Sequence, residues 1–377
     1  MKKLLVITVF LLLILPVFLI KAQNSEQDDL LRQQIGQMLI VGFRGTEINP
    51  SMSIYRDITQ RNIGGVILFD YDVPSQSTPR NIVSVEQTKK LCRELQSLGR
   101  GRLFIALDQE GGKVSRLKTK YGFPPTVSAG FLGANDQVKK TSEWAQRTAQ
   151  TLRQTGFNVN FAPSVDVNVN PDNPIIGALE RSFSHNPEKV IKHASAWIKE
   201  HRKAGVLSSI KHFPGHGSST KDSHKGAVDV SETWQDKELI PFQRLIADSL
   251  VDMVMTSHIF NRHFDADYPA TLSYNFITKI LRQRLGYMGV VVSDDLAMGA
   301  IAKNFKLKTV LEKTINAGVD MLILSNNGEK YNDQLPAEVI EIIFQLVKEG
   351  NIPESRIIES NVRIAKLKNK MLQYQQP

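Results

Sequence analysis

Eight short runs of apolar, largely β-branched residues recur along this chain, separated by stretches with the 3.6-residue rhythm of amphipathic helices. The runs are Gln37–Phe43, Gly65–Phe69, Leu103–Leu107, Asn158–Val165, Leu207–Lys211, Asp252–Ser257, Val290–Ser293 and Asp320–Leu324. Strands this uniformly apolar are buried on both faces, the situation of a parallel sheet covered by helices. The helical stretches include Val85–Leu98, Lys139–Thr155, Pro187–Ala204 and Glu238–Ser249. Leu98-Gly99, Thr155-Gly156, Ala204-Gly205, Leu285-Gly286 and Ala317-Gly318 each read as a helix stop before the next strand. Eight such β/α repeats predict an α/β chain closed into a (β/α)8 barrel of the TIM type. An open doubly wound fold is the alternative, but no G-x-G-x-x-G follows an early strand to support a dinucleotide site in it. Arg356–Leu372 reads as a closing helix, and residues 23–377 read as one domain.

Residues 1–22 stand apart from this pattern. Lys2 and Lys3 precede an apolar run from Leu4 to Ile20, which ends at Lys21-Ala22. That layout is the positive start, apolar middle and small final residue of a secretory signal. An uncleaved anchor is the alternative, since ~17 apolar residues is the shortest run that spans a bilayer; Pro16 inside the run disfavours it. The expectation is export to the periplasm or the outside, with no membrane contact beyond this leader. The formal charge of +9 is partly the leader's: without Lys2, Lys3 and Lys21, 44 basic residues against 38 acidic ones leave +6. The remaining cations are spread over helical stretches rather than interleaved with aromatics, so no nucleic-acid partner is expected. Cys92 is the single cysteine and forms no internal disulfide; it reads as a small buried hydrophobe on a helix.

In a barrel, chemistry gathers where strands end at their C-terminal side, and here those ends are unusually polar. The third run ends in Asp108-Gln109-Glu110-Gly111-Gly112, with Arg116 shortly after. The fourth ends in Asp166, and its loop reaches Glu180-Arg181-Ser182-Phe183. The fifth enters Lys211-His212-Phe213-Pro214-Gly215-His216-Gly217 and continues to Asp222-Ser223-His224. The sixth ends at His258 and the seventh at Asp294-Asp295. Asp294 follows Val290-Val291-Val292-Ser293, a run with no other charge, so its carboxylate falls at the barrel mouth. A carboxylate there can attack an anomeric carbon or stabilise an oxocarbenium ion. A helix cap is the structural alternative for this pair, and Asp295 suits it better than Asp294. Asp222, two residues from His224, can hold the imidazole's tautomer and stabilise its protonated form; two unrelated loop residues would give the same spacing. The glycines and serines of Gly215–Ser219 suit a loop that moves. All eight histidines lie between positions 185 and 263, which leaves open a metal site on His212, His216, Asp222 and His224, although no H-E-x-x-H motif supports it.

Taken together, these blocks resemble glycoside hydrolase family 3, and within it the single-domain β-N-acetylglucosaminidases. The resemblance rests on Leu107–Arg116, Glu180–Phe183, Lys211–Gly217 with Asp222-Ser223-His224, and Ser293–Met298, and it spans the chain from about Leu31 onward. It implies a retaining exo-hydrolase in which Asp294 is the nucleophile and His224, partnered by Asp222, is the acid/base where most glycosidases use a second carboxylate. An imidazole in that role adds no second fixed negative charge beside Asp294. It further implies that Asp108, Arg116, Arg181, Lys211 and His212 contact the terminal sugar, while the Glu110-Gly111-Gly112 turn reads as structural. No cofactor and no metal are implied. The expected partner is a carbohydrate containing N-acetylglucosamine, from peptidoglycan fragments, chito-oligosaccharides or host glycans, acted on by a monomer. A β-glucosidase of the same family, a metal-dependent barrel hydrolase, a glycan-binding protein without turnover, and phosphorolysis in place of hydrolysis are the alternatives.

Overall fold

The computed structural model describes residues 25–374, so the leader over 1–22 lies outside the described residues. Eight parallel strands form the barrel: β1 (Leu39–Gly42), β2 (Gly65–Ile67), β3 (Phe104–Leu107), β4 (Val159–Asn160), β5 (Leu207–Phe213), β6 (Met253–Thr256), β7 (Val290–Val292) and β8 (Leu322–Leu324). Their spatial order follows their chain order from β1 to β7, with β8 beside β1. Ile40 faces Gly65 across the first pair, and Leu39 faces Leu322 across the pair that joins the two ends of the chain. The ring closes at a seam between β7 and β8, where Val292 bridges Met321 in parallel. There Ser293 N donates to the Met321 carbonyl at 2.9 Å, and the amides of Asp320 and Met321 both donate to that of Val291. The eight apolar runs thus become eight barrel strands, each too short to stand alone and each buried along its whole length.

The helices pack outside. Ser84 Oγ caps the helix Val85–Leu98 by accepting from Gln87 N, and Asn186 caps Pro187–Lys203 by accepting from Glu188 N. Four of the five anticipated glycine stops adopt the left-handed conformation: Gly156, Gly205, Gly286 and Gly318. At the fifth, the left-handed turn falls on Arg100 and Gly101 instead of Gly99. Gly156 is also held by a close approach, since a Cβ there would sit 2.7 Å from Cys92 Cβ. Cys92 is buried on its helix, and burial pushes its thiol up, which makes it inert packing. The stretch anticipated as a helix over 238–249 divides into a short turn, Asp236–Glu238, and the helix Ile240–Ala247. Pro241 sits in the first turn of that helix, the place where a proline's missing N–H does no harm. The last described residues form the helix Glu354–Tyr374. Among the described residues, no helix is long and apolar enough to cross a membrane.

Above the rim, Val228–Asp229 pairs with Ile259–Phe260 and packs with Val230 and Trp234. This small sheet ties the chain downstream of His224 to the loop that follows β6.

Candidate active site

Five strand ends deliver the polar residues of the mouth. Asp108 directly follows β3, and Lys211 and His212 lie in β5. The chain after β4 stays beside β5 through a bridge from Ser164 to Lys211, which carries Asp166 to the rim. His258 follows β6 and Asp294 follows β7.

Lys211 is buried, and its Nζ lies 2.8 Å from Asp108 Oδ1 and 2.7 Å from Glu110 Oε1. Arg181 grips Glu110 through two parallel bonds of 2.8 Å, and its Nη2 also lies 2.9 Å from His212 Nε2. Arg116 reaches Asp108 at 3.4 Å. His212 Nδ1 is 2.7 Å from Asp166 Oδ2, while the amides of His212 and His216 donate to Asp166 Oδ1. Burial pushes the carboxyls of Asp108, Glu110 and Asp166 up, but their cations and imidazoles outweigh it and hold all three below the usual carboxylate range. Arg181 and Lys211 are held charged in turn, burial being outweighed by the same carboxylates. The result is a fixed lattice of alternating charges.

Asp294 and Asp295, neighbours in sequence, have different surroundings. Asp295 accepts from the amides of Ala297 and Ser325 and from the Ser325 hydroxyl. It closes a turn and ties to the end of β8 rather than capping a helix as anticipated, since the helix Gly299–Ala302 has Met298 at its N-cap. Asp294 accepts from Asp295 N at 2.8 Å and faces the cavity. Burial pushes the Asp294 carboxyl up, yet His258, His212 and His224 together bring it below its ordinary value; burial raises that of Asp295. His258 braces this segment: its Nε2 lies 2.9 Å from the Asp295 carbonyl and its Nδ1 2.9 Å from Thr271 Oγ1.

The loop after β5 brings the imidazole. His224 Nδ1 lies 2.8 Å from Asp222 Oδ1, which also accepts from His224 N. These hydrogen bonds outweigh burial and hold the Asp222 carboxyl low. The His224 side chain is 61% exposed, whereas Asp294 is deep in the mouth. Inside the loop, His216 Nδ1 is 2.9 Å from Ser219 Oγ and its Nε2 is 3.4 Å from Ser223 Oγ; burial pushes this imidazole down to about 4. Beneath, Glu238 accepts from Ser218 N, and burial raises its carboxyl to about 7. The loop also rests on the segment that follows Asp294: Ala300 N donates to the Ser223 carbonyl and Gly299 N to that of His224.

Two hollows of about 230 and 220 Å³ share Asp108, Arg116, His224, Met255 and Asp294 as lining. One adds Glu110, Arg181, Lys211 and His212 and is the more charged. The other adds Phe69, Tyr71, Val73, Met298 and Asn327. Seven of the eight anticipated site residues line these hollows; Asp222 does not, and stands behind His224 as its partner. The sequence reading underrated Glu110. Assigned to a structural turn, its carboxylate also joins Lys211 to Arg181, a role the need of a buried lysine for counter-charge could have disclosed. Asp166 was noted only as a strand end, and its hold on His212 was not foreseen. The histidines do not gather around a common point: His212 faces Asp166, His216 faces two serines, and His224 faces Asp222. Among the described residues, no three His, Cys, Asp or Glu side chains are grouped to hold a metal ion.

A barrel with this rim has close relatives of known class. The family model for the glycosyl hydrolase family 3 N-terminal domain matches residues 30–367. The β-hexosaminidase A of Pseudoalteromonas piscicida is 35% identical, the match covering 90% of this chain and 61% of that protein. The β-hexosaminidase LpqI of Mycobacterium tuberculosis is 31% identical over 89% of this chain and 82% of its own length. Among solved structures, a family 3 β-N-acetylglucosaminidase from a Paenibacillus species superposes with a TM-score of 0.82 at 34% identity, over 92% of this chain and 63% of that one. The β-N-acetylhexosaminidase of Beutenbergia cavernae gives 0.79 at 28% identity, over 90% of this chain and 98% of that one. The chain belongs to glycosyl hydrolase family 3. It spans less than two thirds of the Pseudoalteromonas and Paenibacillus proteins it matches.

Proposed function

We propose that this protein is a retaining exo-β-N-acetylglucosaminidase that removes terminal β-linked N-acetylglucosamine from glycans such as peptidoglycan fragments or chito-oligosaccharides. The observation that carries the reading is that Asp294 and His224, from different strands, line the same cavity beside Asp108 and Lys211. Asp294 attacks the anomeric carbon from one side while His224 gives its proton to the glycosidic oxygen. The leaving sugar departs, a glycosyl ester forms on Asp294, and His224, now neutral, takes a proton from the water that hydrolyses it. Asp222 holds the imidazole's orientation and balances its charge during the first step. In the charged hollow, Asp108 and Lys211 suit hydroxyl groups of the terminal sugar, with Arg116, Arg181 and His212 completing the grip. The β-hexosaminidase and β-N-acetylglucosaminidase names of the relatives support the N-acetyl sugar. In this reading the leader over 1–22 directs the protein to the periplasm or beyond, where it works as a monomer.

The test is trapping with a slow fluorinated N-acetylglucosaminide followed by peptide mass mapping. The label is expected on Asp294, and a label on any other residue overturns the assignment. Aryl β-N-acetylglucosaminide and aryl β-glucoside, assayed side by side, decide the sugar: faster turnover of the glucoside replaces this reading with a β-glucosidase. Asp294→Ala is expected to lower kcat by roughly three orders of magnitude or more.

A further inference from the structure

At the opposite end of the barrel, the turns that lead into β2 and β3 meet the helix over 25–37 and the closing helix Glu354–Tyr374 around a cavity of about 810 Å³. Its lining contains Lys368, Arg100 and Arg102, with the amide side chains of Gln33, Gln37, Asn62 and Asn361, and no Asp or Glu among the described residues. Lys368 is only 5% exposed. Its Nζ donates to Gln37 Oε1 at 2.8 Å and lies 5.1 Å from the centre of the Phe104 ring. An ammonium has three donors, and the amide oxygen and the ring face leave the charge without a counter-ion among the described residues.

That is an exception in this protein. Three Lys or Arg side chains are buried among the described residues: Arg80, Lys211 and Lys368. Arg80 is paired with Asp72, and Lys211 with Asp108 and Glu110. Taking an unpaired ammonium out of water is expensive, and a protein answers by pairing the group or by neutralising it. Burial, and then the like charge of Arg102, push Lys368 down to about 7. A cation in that position gains from any anion that enters.

We propose that this basal cavity is a second binding site, for a small molecule bearing a phosphate or carboxylate group held between Lys368 and Arg102. The amide side chains around it supply donors and acceptors for the rest of the ligand. Such a cavity is of ligand size, and it lies on the face of the barrel away from the hydrolytic mouth, so the proposal is independent of the reaction assigned there.

The test is calorimetric titration of the full chain with inorganic phosphate and, separately, with citrate, below pH 7 and at ionic strength held constant with chloride. Saturable binding of at least one anion is expected, weakened about tenfold or more by Lys368→Met and by Arg102→Ala, with glycoside hydrolysis unchanged in both variants. Binding of phosphate alone assigns a phosphate-bearing ligand; binding of citrate alone assigns a carboxylate. No saturable binding of either anion overturns the proposal, and so does binding that survives Lys368→Met. Should that variant fail to fold, the exposed Arg102→Ala decides in the same way.

Discussion

The amide of Gly299 donates to the carbonyl of His224 at 3.3 Å, and a Cβ added to Gly299 would stand 2.6 Å from that same oxygen. The loop that carries the imidazole is therefore seated on the segment that follows Asp294, in a contact that only glycine permits. Gly299→Ala is expected to push the loop off its seat and lower kcat about tenfold or more, with melting temperature little changed. Steady-state kinetics beside thermal unfolding check it; a wild-type kcat would mean the loop is positioned elsewhere.

The pairing of Asp222 with His224 leads to a second expectation. Asp222→Ala removes the carboxylate that orients the imidazole and balances its charge, so loss should follow the demand for a proton. Natural disaccharides, with poor leaving groups, are expected to slow by roughly 10²-fold. A nitrophenyl glycoside, which leaves readily, should slow much less. Equal losses on both substrates would make the pair structural.

Glu238 gives a pH dependence of stability. Its folded pKa is about 7, against about 4.3 for an unfolded glutamate. The folded state thus holds the proton more tightly, and its advantage is complete below the unfolded value. It is lost as pH rises towards the folded one, at up to about 1.4 kcal/mol per pH unit. Glu238→Gln does not titrate, so the stability of wild type relative to this variant should fall between about pH 4.3 and 7 and then level off. Denaturant unfolding across that range is the measurement, and parallel pH curves would contradict it.

At the other end of the barrel, buried Asp320 takes Arg282 at 2.7 Å, Arg356 at 2.8 Å and Arg363 at 3.1 Å. Burial pushes this carboxyl up, but the three guanidinium groups hold it below its usual range. Its contribution is complete above the unfolded value of about 3.9 and is lost as pH falls through the depressed folded one. Asp320→Asn leaves three cations facing a neutral amide and is expected to cost about 3–5 kcal/mol near neutral pH. Chemical denaturation of both proteins measures it.

The barrel was legible because parallel strands buried on both faces must be apolar throughout, a local signal that repeats eight times. The place of Asp294 at the mouth was legible for the converse reason, as a charge ending such a run. The turn that Asp295 closes was not, because its Ser325 partner comes from the end of another strand and the cap falls on Met298. Glu110 and Asp166 were harder to read. Their partners lie far away in sequence, at Lys211, Arg181 and His212, and nothing local to the Glu110-Gly111-Gly112 turn distinguishes a carboxylate that bridges two cations from one that faces solvent. His258 was visible as a polar strand end, but its hold on the Asp295 carbonyl depends on how β6 and β7 lie side by side. The split near Pro241 was missed because hydrophobic rhythm runs through a proline that the backbone does not ignore.

The seam between β7 and β8 also bears on how the chain is made. Because β8 supplies the partner for both β1 and β7, two raw sheet edges persist until residues 320–324 have joined. A chain emerging amino end first therefore gains its full set of strand partners only once residues 320–324 have been made. Fragments that stop short of Asp320 would be sticky, half-open sheets rather than smaller working enzymes.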